Sequence, residues 1–330
     1  MKIFVSGATG FIGIQLVLRL VKDGHTVHAL YRSESKADMI RQPGVKLFKG
    51  DIMDSSSLED ALEGCEEAYH AAAFAGVWAK DPAMVYRLNV DGALQVIEIA
   101  GRKGVRRVVI TSTAGILGPS DKEAVDESSP APASFFTDYE ASKFQLEQQV
   151  LGRTETDPEV VLVNPTRVYG PGYLSESNGV TKMIKQYVEG SWRLIPGNGK
   201  SLGNYVFVED VVSGHLLAME KGMPGERYVL GGENISYNQL FDFVRQASGV
   251  NKKLFHIPLI FMLAAAGLMK GISKLSGRPP LIVPSLVRKF NHNWIVSSDK
   301  AVIDLGYQAM DARSGIEQTV QWIKNSTHEN

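Results

Sequence analysis

Short β-branched runs alternate with helical patterns through the first 165 residues of the chain, and this alternation limits the fold more than any other feature. Strand-like runs include KIFVS, HTVHALY, RRVVITS and EVVLVNP, and amphipathic segments such as FIGIQLVLRLVKDG separate them. Such alternation predicts an α/β fold in which helices cover both faces of a parallel sheet. Beyond about residue 170, loops with glycine and proline separate helical segments. We therefore predict a sheet domain over residues 1–168 and a smaller, helix-rich lobe over residues 169–330, partly interleaved with it.

A glycine loop, GATGFIG, directly follows the first strand and opens the first helix. Gly7, Gly10 and Gly13 suit a tight turn, a close approach of backbone to phosphate, and close packing of the helix. Strand, loop and helix in this order place a pyrophosphate on the N–H groups of a helix N-terminus. The loop predicts a dinucleotide cofactor, and a glycine turn without a ligand is the alternative.

The end of the second strand indicates which dinucleotide binds. An NAD site usually has an acidic residue there to hold the ribose hydroxyls, whereas this chain has Tyr31 and Arg32, with Ser33 and Lys36 close behind. A guanidinium forms charge-assisted hydrogen bonds to a 2′-phosphate. We therefore expect NADP(H) to be preferred over NAD(H), unless Arg32 is a solvated loop cation.

A tyrosine and a lysine stand four residues apart in TDYEASKFQLEQQ, at the start of a predicted helix. At this spacing Tyr139 and Lys143 share one helix face. The pair could be an ordinary solvated surface, because the spacing arises often by chance. It could also be a proton-transfer site, since a nearby ammonium lowers the pKa of a phenol that is otherwise near 10.

The charge and the cysteine content exclude several classes of function. Thirty-five basic and thirty-six acidic residues leave a net charge of -1, so no basic field for nucleic acid is expected and the partner should be a small molecule. The single cysteine, Cys65, and the absence of a ligand cluster predict no disulfide and no metal site, and a cytoplasmic location. The apolar segment 257–269 is too short to span a membrane. It is expected to be a buried or pocket-capping helix, or a site of weak membrane contact.

Six short motifs occur in a characteristic order: GATGFIG, Asp51-Ile52, HAAA at 70–73, Asn89-Val90 with Gly92, TSTAG at 111–115, and Tyr139-x-x-x-Lys143. Together they resemble the extended short-chain dehydrogenase/reductases of the NAD-dependent epimerase/dehydratase superfamily. NPTRVYGPG, YVFVEDVVSGHLLAME and GERYVLGGENIS are most similar to the dihydroflavonol-reductase-like and 3-beta-hydroxysteroid-dehydrogenase-like branches. The resemblance covers nearly the whole chain and implies a doubly wound Rossmann sheet with a C-terminal substrate lobe.

The resemblance also implies roles for individual residues. Tyr139 would transfer a proton to or from the substrate oxygen, Lys143 would lower the pKa of Tyr139 and hold the nicotinamide ribose, and Thr113 would steady the substrate oxygen. The cofactor-binding residues would be Gly7, Thr9, Gly10, Phe11, Ile12, Gly13, Tyr31, Arg32, Asp51, Ile52, Ala71, Ala72, Ala73, Asn89, Thr111, Tyr139, Lys143, Asn164, Pro165 and Val168. Within this set, Asp51 and Ile52 would contact the adenine, and Asn164, Pro165 and Val168 would border the nicotinamide.

The substrate is expected to be an uncharged, apolar ketone, aldehyde or alcohol. Sugar-nucleotide enzymes of the family usually carry an arginine where this chain has Gly203 and Asn204. The second lobe and its surroundings offer mainly aromatic and apolar residues, and we expect substrate contacts from Phe74, Trp78, Thr113, Phe135 and Tyr173, with Phe136 nearby. A nucleotide-sugar epimerase or dehydratase is the first alternative, and a non-catalytic dinucleotide sensor is the second. The family resemblance further suggests a homodimer formed through helices at 81–103 and 137–152.

Overall fold

The central sheet has seven parallel strands. The computed structural model describes residues 1–120, 123–152, 158–174, 178–276, 279–280 and 282–328, without the side chains of 274–276 and 327–328. The seven strands are β1 Lys2–Ser6, β2 Thr26–Tyr31, β3 Val45–Lys49, β4 Glu67–His70, β5 Arg107–Thr111, β6 Glu159–Pro165 and β10 Arg227–Leu230. Their order in the sheet is β10-β6-β5-β4-β1-β2-β3. The strand order reverses at β1, which lies between β2 and β4, and ligands of such sheets bind at this crevice. The predicted doubly wound α/β fold is confirmed.

Helices cover both faces of the sheet, as the alternation predicted. They are α1 Phe11–Lys22, α2 Glu34–Ala37, α3 Ser55–Leu62, α4 Pro82–Tyr86, α5 Gly92–Arg102, α6 Asp138–Val150, α7 Gly179–Val188, α8 Val208–Lys221, α9 Tyr237–Ser248, α10 Leu259–Ser276, α11 Pro284–Lys289, α12 Asp299–Leu305 and α13 Ala312–His328. Successive residues of a strand point to opposite faces. Thus Ile3 and Val5 of β1 join one buried cluster with α1 and α8, and Phe4 joins the other with α3 and α5.

The second half of the chain contributes two smaller sheets and a separate apolar cluster. Their strands are β7 Arg167–Tyr169, β8 Leu194–Pro196, β9 Leu202–Phe207, β11 Glu233–Ser236 and β12 Phe255–Ile257. β7, β9 and β11 form a three-stranded sheet, and β8 pairs with β12. Aromatic residues such as Tyr205 and Phe241 form the core between these strands and α7, α9 and α13. The chain returns to the first sheet at β10, which pairs with β6; the division at residue 168 stays a prediction.

Candidate active site

At the carboxyl end of β1, the glycine loop is in close contact with the start of α1 and with the segment after β4. Gly7 has φ +68°, and a Cβ there would lie 2.5 Å from the backbone of Ala71 and Ala72 after β4. A Cβ on Gly13 would lie 2.0 Å from the Gly7 carbonyl oxygen. Any side chain at either position would clash with backbone atoms. Two of the three predicted glycine roles, the tight turn and the close helix packing, therefore have a structural reason.

The start of α1 fits the pyrophosphate of a dinucleotide. Gly10 is the N-cap residue and has no side chain that could occupy the first N–H groups of the helix. The first turn of α1, which is fully described, contains no acidic residue that would repel an anion. Thr9, Gly10 and Ile12 are half-buried, Phe11 is buried in the core, and Ala71 and Ala72 face the loop. These residues would bind the cofactor through backbone N–H groups and apolar contacts.

Arg32, the predicted 2′-phosphate ligand, lies beside a carboxylate that the sequence reasoning did not foresee. Its Nη1 is 3.6 Å from Oδ2 of Asp51, and 72% of its side chain is exposed. The parallel pairing of β2 with β3 brings the ends of these strands together, so that Asp51 follows β3 next to Arg32. A second carboxylate, that of Glu34, lies at the same end of β2, where it accepts a hydrogen bond from the Tyr31 hydroxyl at 2.8 Å. The site thus contains a cation for a phosphate and carboxylates that suit ribose hydroxyls.

A π-helical turn joins α4 to α5 and turns Asn89 inward. The turn spans Arg87–Asp91, and such turns often occur at functional sites. The buried Asn89 amide donates hydrogen bonds to the Phe74 carbonyl at 3.1 Å and to Ser142 Oγ at 2.9 Å, and accepts one from Phe74 N–H at 2.7 Å. Asn89 therefore fixes the segment after β4 against α6. In this structure it acts as a positioning residue, while its predicted cofactor contact stays a prediction.

The first turn of α6 holds Tyr139 in place. Thr137 and Glu140 form a capping box, in which Thr137 Oγ1 accepts from the Glu140 N–H and Glu140 Oε2 accepts from the Thr137 N–H. Glu140 also accepts from the Phe136 N–H at 3.0 Å and pairs with Lys289. Because Glu140 is buried and fully engaged, the adjacent Tyr139 has a fixed position at the helix start.

Thr113, Tyr139 and Lys143 come together where β5 ends. The Thr113 hydroxyl lies beside the Tyr139 phenol and acts to lower the phenol pKa, and it accepts from the Gly115 N–H at 3.1 Å. Lys143, one turn further along α6, is 1% exposed, and its Nζ donates to the Thr111 carbonyl oxygen at 2.8 Å. The geometry thus groups the three residues that the motif predicted to be catalytic.

Burial determines the ionisation of this group. It raises the pKa of Tyr139 to about 12, with the Thr113 hydroxyl acting to lower it and Glu140 acting to raise it. It lowers the pKa of Lys143 to about 8, with the Glu147 carboxylate opposing the shift. Lys143 was expected to lower the pKa of Tyr139, whereas burial raises it. In this structure burial is the dominant effect on both groups.

A buried polar network behind Lys143 was not foreseen. Glu147, one turn beyond Lys143, is fully buried and pairs with Arg227 of β10 at 3.0 Å. Its other oxygen accepts from Asn164 Nδ2 at 2.6 Å, and that nitrogen also donates to the Thr113 carbonyl at 3.2 Å. Burial raises the pKa of Glu147, while Ser112, Arg227 and Asn164 act to lower it. The sequence feature that could have indicated Glu147 is its position four residues after Lys143, which places both side chains on one face of the helix.

Thr111 is tied to helix α8 by a hydrogen bond, and Pro165 at the end of β6 and Val168 of β7 are buried. The Thr111 hydroxyl bonds His215 Nε2 at 2.8 Å, and His215 Nδ1 lies 2.7 Å from the Val211 carbonyl. The second bond requires a proton on Nδ1, so Nε2 accepts from Thr111. Pro165 and Val168 are buried, and their predicted contacts with the nicotinamide stay predictions.

The predicted substrate residues have different immediate neighbours, and their joint contact with a substrate stays a prediction. Phe135 packs on Phe144, with ring centroids 5.0 Å apart, in a small core cluster beside β5. Tyr173 is close to the segment that follows β2, because its ring centroid is 5.4 Å from the ammonium of Lys36 in that segment. Phe74 and Trp78 are half-buried in the segment after β4. Phe136 is closer to the second lobe, since its ring lies 5.9 Å from that of Trp294.

Arg167 occupies the space above Gly203, and sequence reasoning missed it. A Cβ on Gly203 would lie 2.2 Å from Nη1 of Arg167. The same Nη1 donates to the hydroxyls of Tyr205 at 3.0 Å and Tyr237 at 3.4 Å. Within the described residues no carboxylate pairs with this half-buried guanidinium. An arginine from the neighbouring strand therefore places a cation beside position 203, where the sequence itself has none.

Comparison with known proteins identifies the family. Residues 3–231 match the model of the NAD dependent epimerase/dehydratase family. The chain belongs to this family. It is thus an enzyme of an NAD(P)-dependent family, as the motifs predicted, with a nicotinamide dinucleotide as cofactor.

Several relatives match over nearly their whole length. Sterol demethylase protein B of Methylococcus capsulatus is 31% identical, with 98% of each chain covered. The 2-alkyl-3-oxoalkanoate reductase of Stenotrophomonas maltophilia is 28% identical, with 99% of each covered. The crystal structure of gox2253 has a TM-score of 0.83 and 30% identity, with 98% of each chain covered.

Among the described residues, no group of three or more His, Cys, Asp or Glu could hold a metal ion.

Proposed function

We propose that the protein is an NADP(H)-dependent oxidoreductase that interconverts a carbonyl group and an alcohol on an apolar substrate. The observation that carries the proposal is the meeting of Thr113, Tyr139 and Lys143 at the sheet edge that also contains the glycine loop. Reductases and dehydrogenases need both a hydride carrier and a proton donor. This edge offers a site for each.

The residues support a simple reduction. A dinucleotide held by the glycine loop would supply the hydride chemistry of its nicotinamide. The Tyr139 hydroxyl then donates its proton to the carbonyl oxygen, and the Thr113 hydroxyl hydrogen-bonds that oxygen. Because burial raises the pKa of Tyr139 to about 12, the phenol is protonated at neutral pH, which is the state that reduction needs. Oxidation needs the phenolate, so alkaline pH should favour the reverse direction.

The experiment that tests the proposal is a screen of carbonyl compounds with the purified enzyme. Ketones and aldehydes of increasing apolar size are mixed with NADPH or NADH, and the loss of nicotinamide absorbance is followed. Turnover of an apolar carbonyl, faster with NADPH, is expected. No turnover of any member, despite NADPH binding, would contradict the substrate class.

Arg167 supports a second candidate, an enzyme whose substrate carries an anionic group. A half-buried cation without a carboxylate partner in the described chain suits a phosphate or a carboxylate. Nucleotide sugars are one such class, and long-chain oxo acids are another.

Melting curves with ligands separate the two candidates. We expect UDP- and dTDP-sugars to leave the melting temperature unchanged, whereas NADPH raises it by mass action. A nucleotide-sugar or oxo-acid shift that disappears in Arg167→Met, while the NADPH shift remains, would establish the second candidate instead. The NADPH shift serves as the control for the fold of the variant.

A further inference from the structure

Helix α10 presents an apolar face to solvent. Phe261, Leu268 and Ile272 are 67%, 68% and 55% exposed, and Ile260 is 71% exposed. The first three follow one another at spacings of seven and four residues, so they line one side of the helix. Ala266 and Ser273, on the opposite side, are buried. The helix therefore turns its large apolar side chains outward, although a soluble monomer rarely exposes a large contiguous apolar patch.

The exposed surface extends beyond the helix. Phe255 of β12 and Leu194 of β8 are 52% and 44% exposed and are direct partners in the parallel pair. β12 ends at Ile257 and α10 begins at Leu259, so the two surfaces adjoin. We call this continuous surface the apolar face; its members are Leu194, Phe255, Ile260, Phe261, Leu268 and Ile272.

The segment that carries the apolar face is strongly basic. Residues 243–298 contain eight lysines and arginines and no acidic residue, in a chain whose net charge is -1. Lys252, Lys253, Lys270 and Arg288 are exposed, and none of them forms an ion pair with any described residue. The Lys253 ammonium lies 5.5 Å from the Phe255 ring, so positive charge directly borders the apolar face.

We propose that the apolar face docks on the surface of an anionic lipid bilayer. Apolar side chains beside unpaired lysines and arginines are the combination that binds at the headgroup boundary. No described helix is long and apolar enough to cross a membrane, so α10 would lie in the interface rather than span it. A second copy of the chain fits less well, because a symmetric contact would bring the same cations against each other.

Docking would bring the bilayer near the proposed proton donor. α10 packs on α11, and Lys289 at the end of α11 pairs with Glu140, the residue next to Tyr139. A lipid-dissolved carbonyl compound would then have a short path to Tyr139. This last consequence rests on the proposed function, whereas docking itself does not.

Co-sedimentation of the full chain with vesicles tests the proposal without any substrate. Neutral phosphatidylcholine vesicles are compared with vesicles in which roughly one third of the lipid is phosphatidylglycerol. We expect binding to the anionic vesicles, much weaker binding to neutral ones, and loss of binding at high salt. The double variant Lys252→Gln, Lys253→Gln should bind about fivefold more weakly per charge removed.

Apolar variants distinguish docking from general stickiness. The double variant Phe261→Ser, Leu268→Ser should lose about tenfold or more in vesicle affinity. The matched control, Val302→Ser with Ile303→Ser on α12, removes side chains that are 49% and 79% exposed and should bind as the wild type does. Unchanged melting curves would show that the variants fold.

Three outcomes would overturn the proposal. The first is equal binding to neutral and anionic vesicles, and the second is wild-type binding by the α10 variant. The third is absence of vesicle binding by the wild type. If light scattering then gives a dimeric mass that the α10 variant converts to a monomeric one, the apolar face is assigned to a second copy of the chain.

Discussion

Lys143 has an environment that favours its neutral form. The side chain is 1% exposed, and burial lowers its pKa from 10.5 to about 8. The lysine pKa is higher in the unfolded chain than in the folded protein. Between pH 8 and pH 10.5 the unfolded state therefore binds more protons than the folded state. The free energy of unfolding therefore rises with pH across this window, and below pH 8 the buried charge destabilises the fold.

The variant Lys143→Met tests this effect. From about pH 7 to about pH 9.5, the wild type should gain about 2 kcal/mol of unfolding free energy relative to the variant. Other groups titrate alike in the wild type and in the variant, so their contributions cancel when the two unfolding free energies are subtracted. Urea unfolding at the two pH values measures it. A difference that is independent of pH would show that Lys143 keeps its ordinary pKa.

Arg32 is the residue on which the proposed preference for NADPH depends. Its contact with Asp51 at 3.6 Å is largely exposed, and exposed pairs contribute little energy. Asp51 therefore does not prevent Arg32 from binding a 2′-phosphate. The nearby Arg41 is also exposed, but it pairs with Asp38 at 3.0 Å, which makes it a matched control.

Arg32→Ala should weaken NADPH binding by about ten- to a hundredfold, as expected for a lost hydrogen bond to a charged group. NADH binding should change little, because NADH lacks the 2′-phosphate. Arg41→Ala should affect neither cofactor strongly. Calorimetric titration of both cofactors measures these changes. Equal losses for NADPH and NADH in Arg32→Ala would remove the basis of the preference.

Single residues differ in how far the sequence predicts their surroundings. The need for glycine at position 7 follows from the local order of strand, loop and helix, and the structure shows the backbone contact that requires it. The neighbours of Arg32 and Gly203 depend on strand register. Asp51 and Arg167 reach them through pairing with other strands. No local pattern in a single sequence specifies that pairing.

At the scale of elements, one buried ion pair attaches α6 to the edge of the sheet. Glu147 of α6 is fully buried and Arg227 of β10 is 14% exposed. Arg227 also donates to the Glu127 carbonyl at 2.7 Å. Since α6 carries Tyr139 and Lys143, this attachment holds the candidate site together.

Arg227→Met should therefore destabilise the protein by about 3 to 5 kcal/mol, because it leaves the buried Glu147 carboxylate without the cation that balances its charge. Adding Glu147→Leu should restore much of the loss, since the unpaired charge is then gone. The exposed Arg102, which pairs with Glu59 and Glu98, is the control, and Arg102→Met should lose no more than about 1 kcal/mol. Chemical unfolding measures all three. A loss at Arg227 as small as that at Arg102 would contradict this account of the pair.

The helix predicted at 81–103 shows which features of a secondary-structure element can be predicted from sequence and which cannot. Helical periodicity located it well, and the structure has α4 and α5 over Pro82–Arg102. The π-helical turn between them breaks the expected 3.6-residue period. Its inward Asn89 is stabilised by Phe74 and Ser142, which are distant in sequence. Such a turn depends on tertiary contacts rather than on local preference.

At the scale of the whole molecule, the two halves of the chain share the candidate site. The first half supplies the glycine loop, Thr113, Tyr139 and Lys143. The second half supplies Arg227 and Lys289, which pair with buried carboxylates of α6. The alternation of strands and helices predicted the first half because each unit is local. The second half lacks such a repeat, so the positions of its aromatic residues were not predictable.

The substitution Tyr139→Phe tests the central claim most directly. With an apolar carbonyl substrate and NADPH, kcat should fall about a hundredfold or more, as for the loss of a general acid. NADPH affinity should stay near that of the wild type, because the phenol oxygen is removed and the ring remains. A Tyr139→Phe enzyme that reduces its substrate at nearly the wild-type rate would contradict the assignment of Tyr139 as the proton donor.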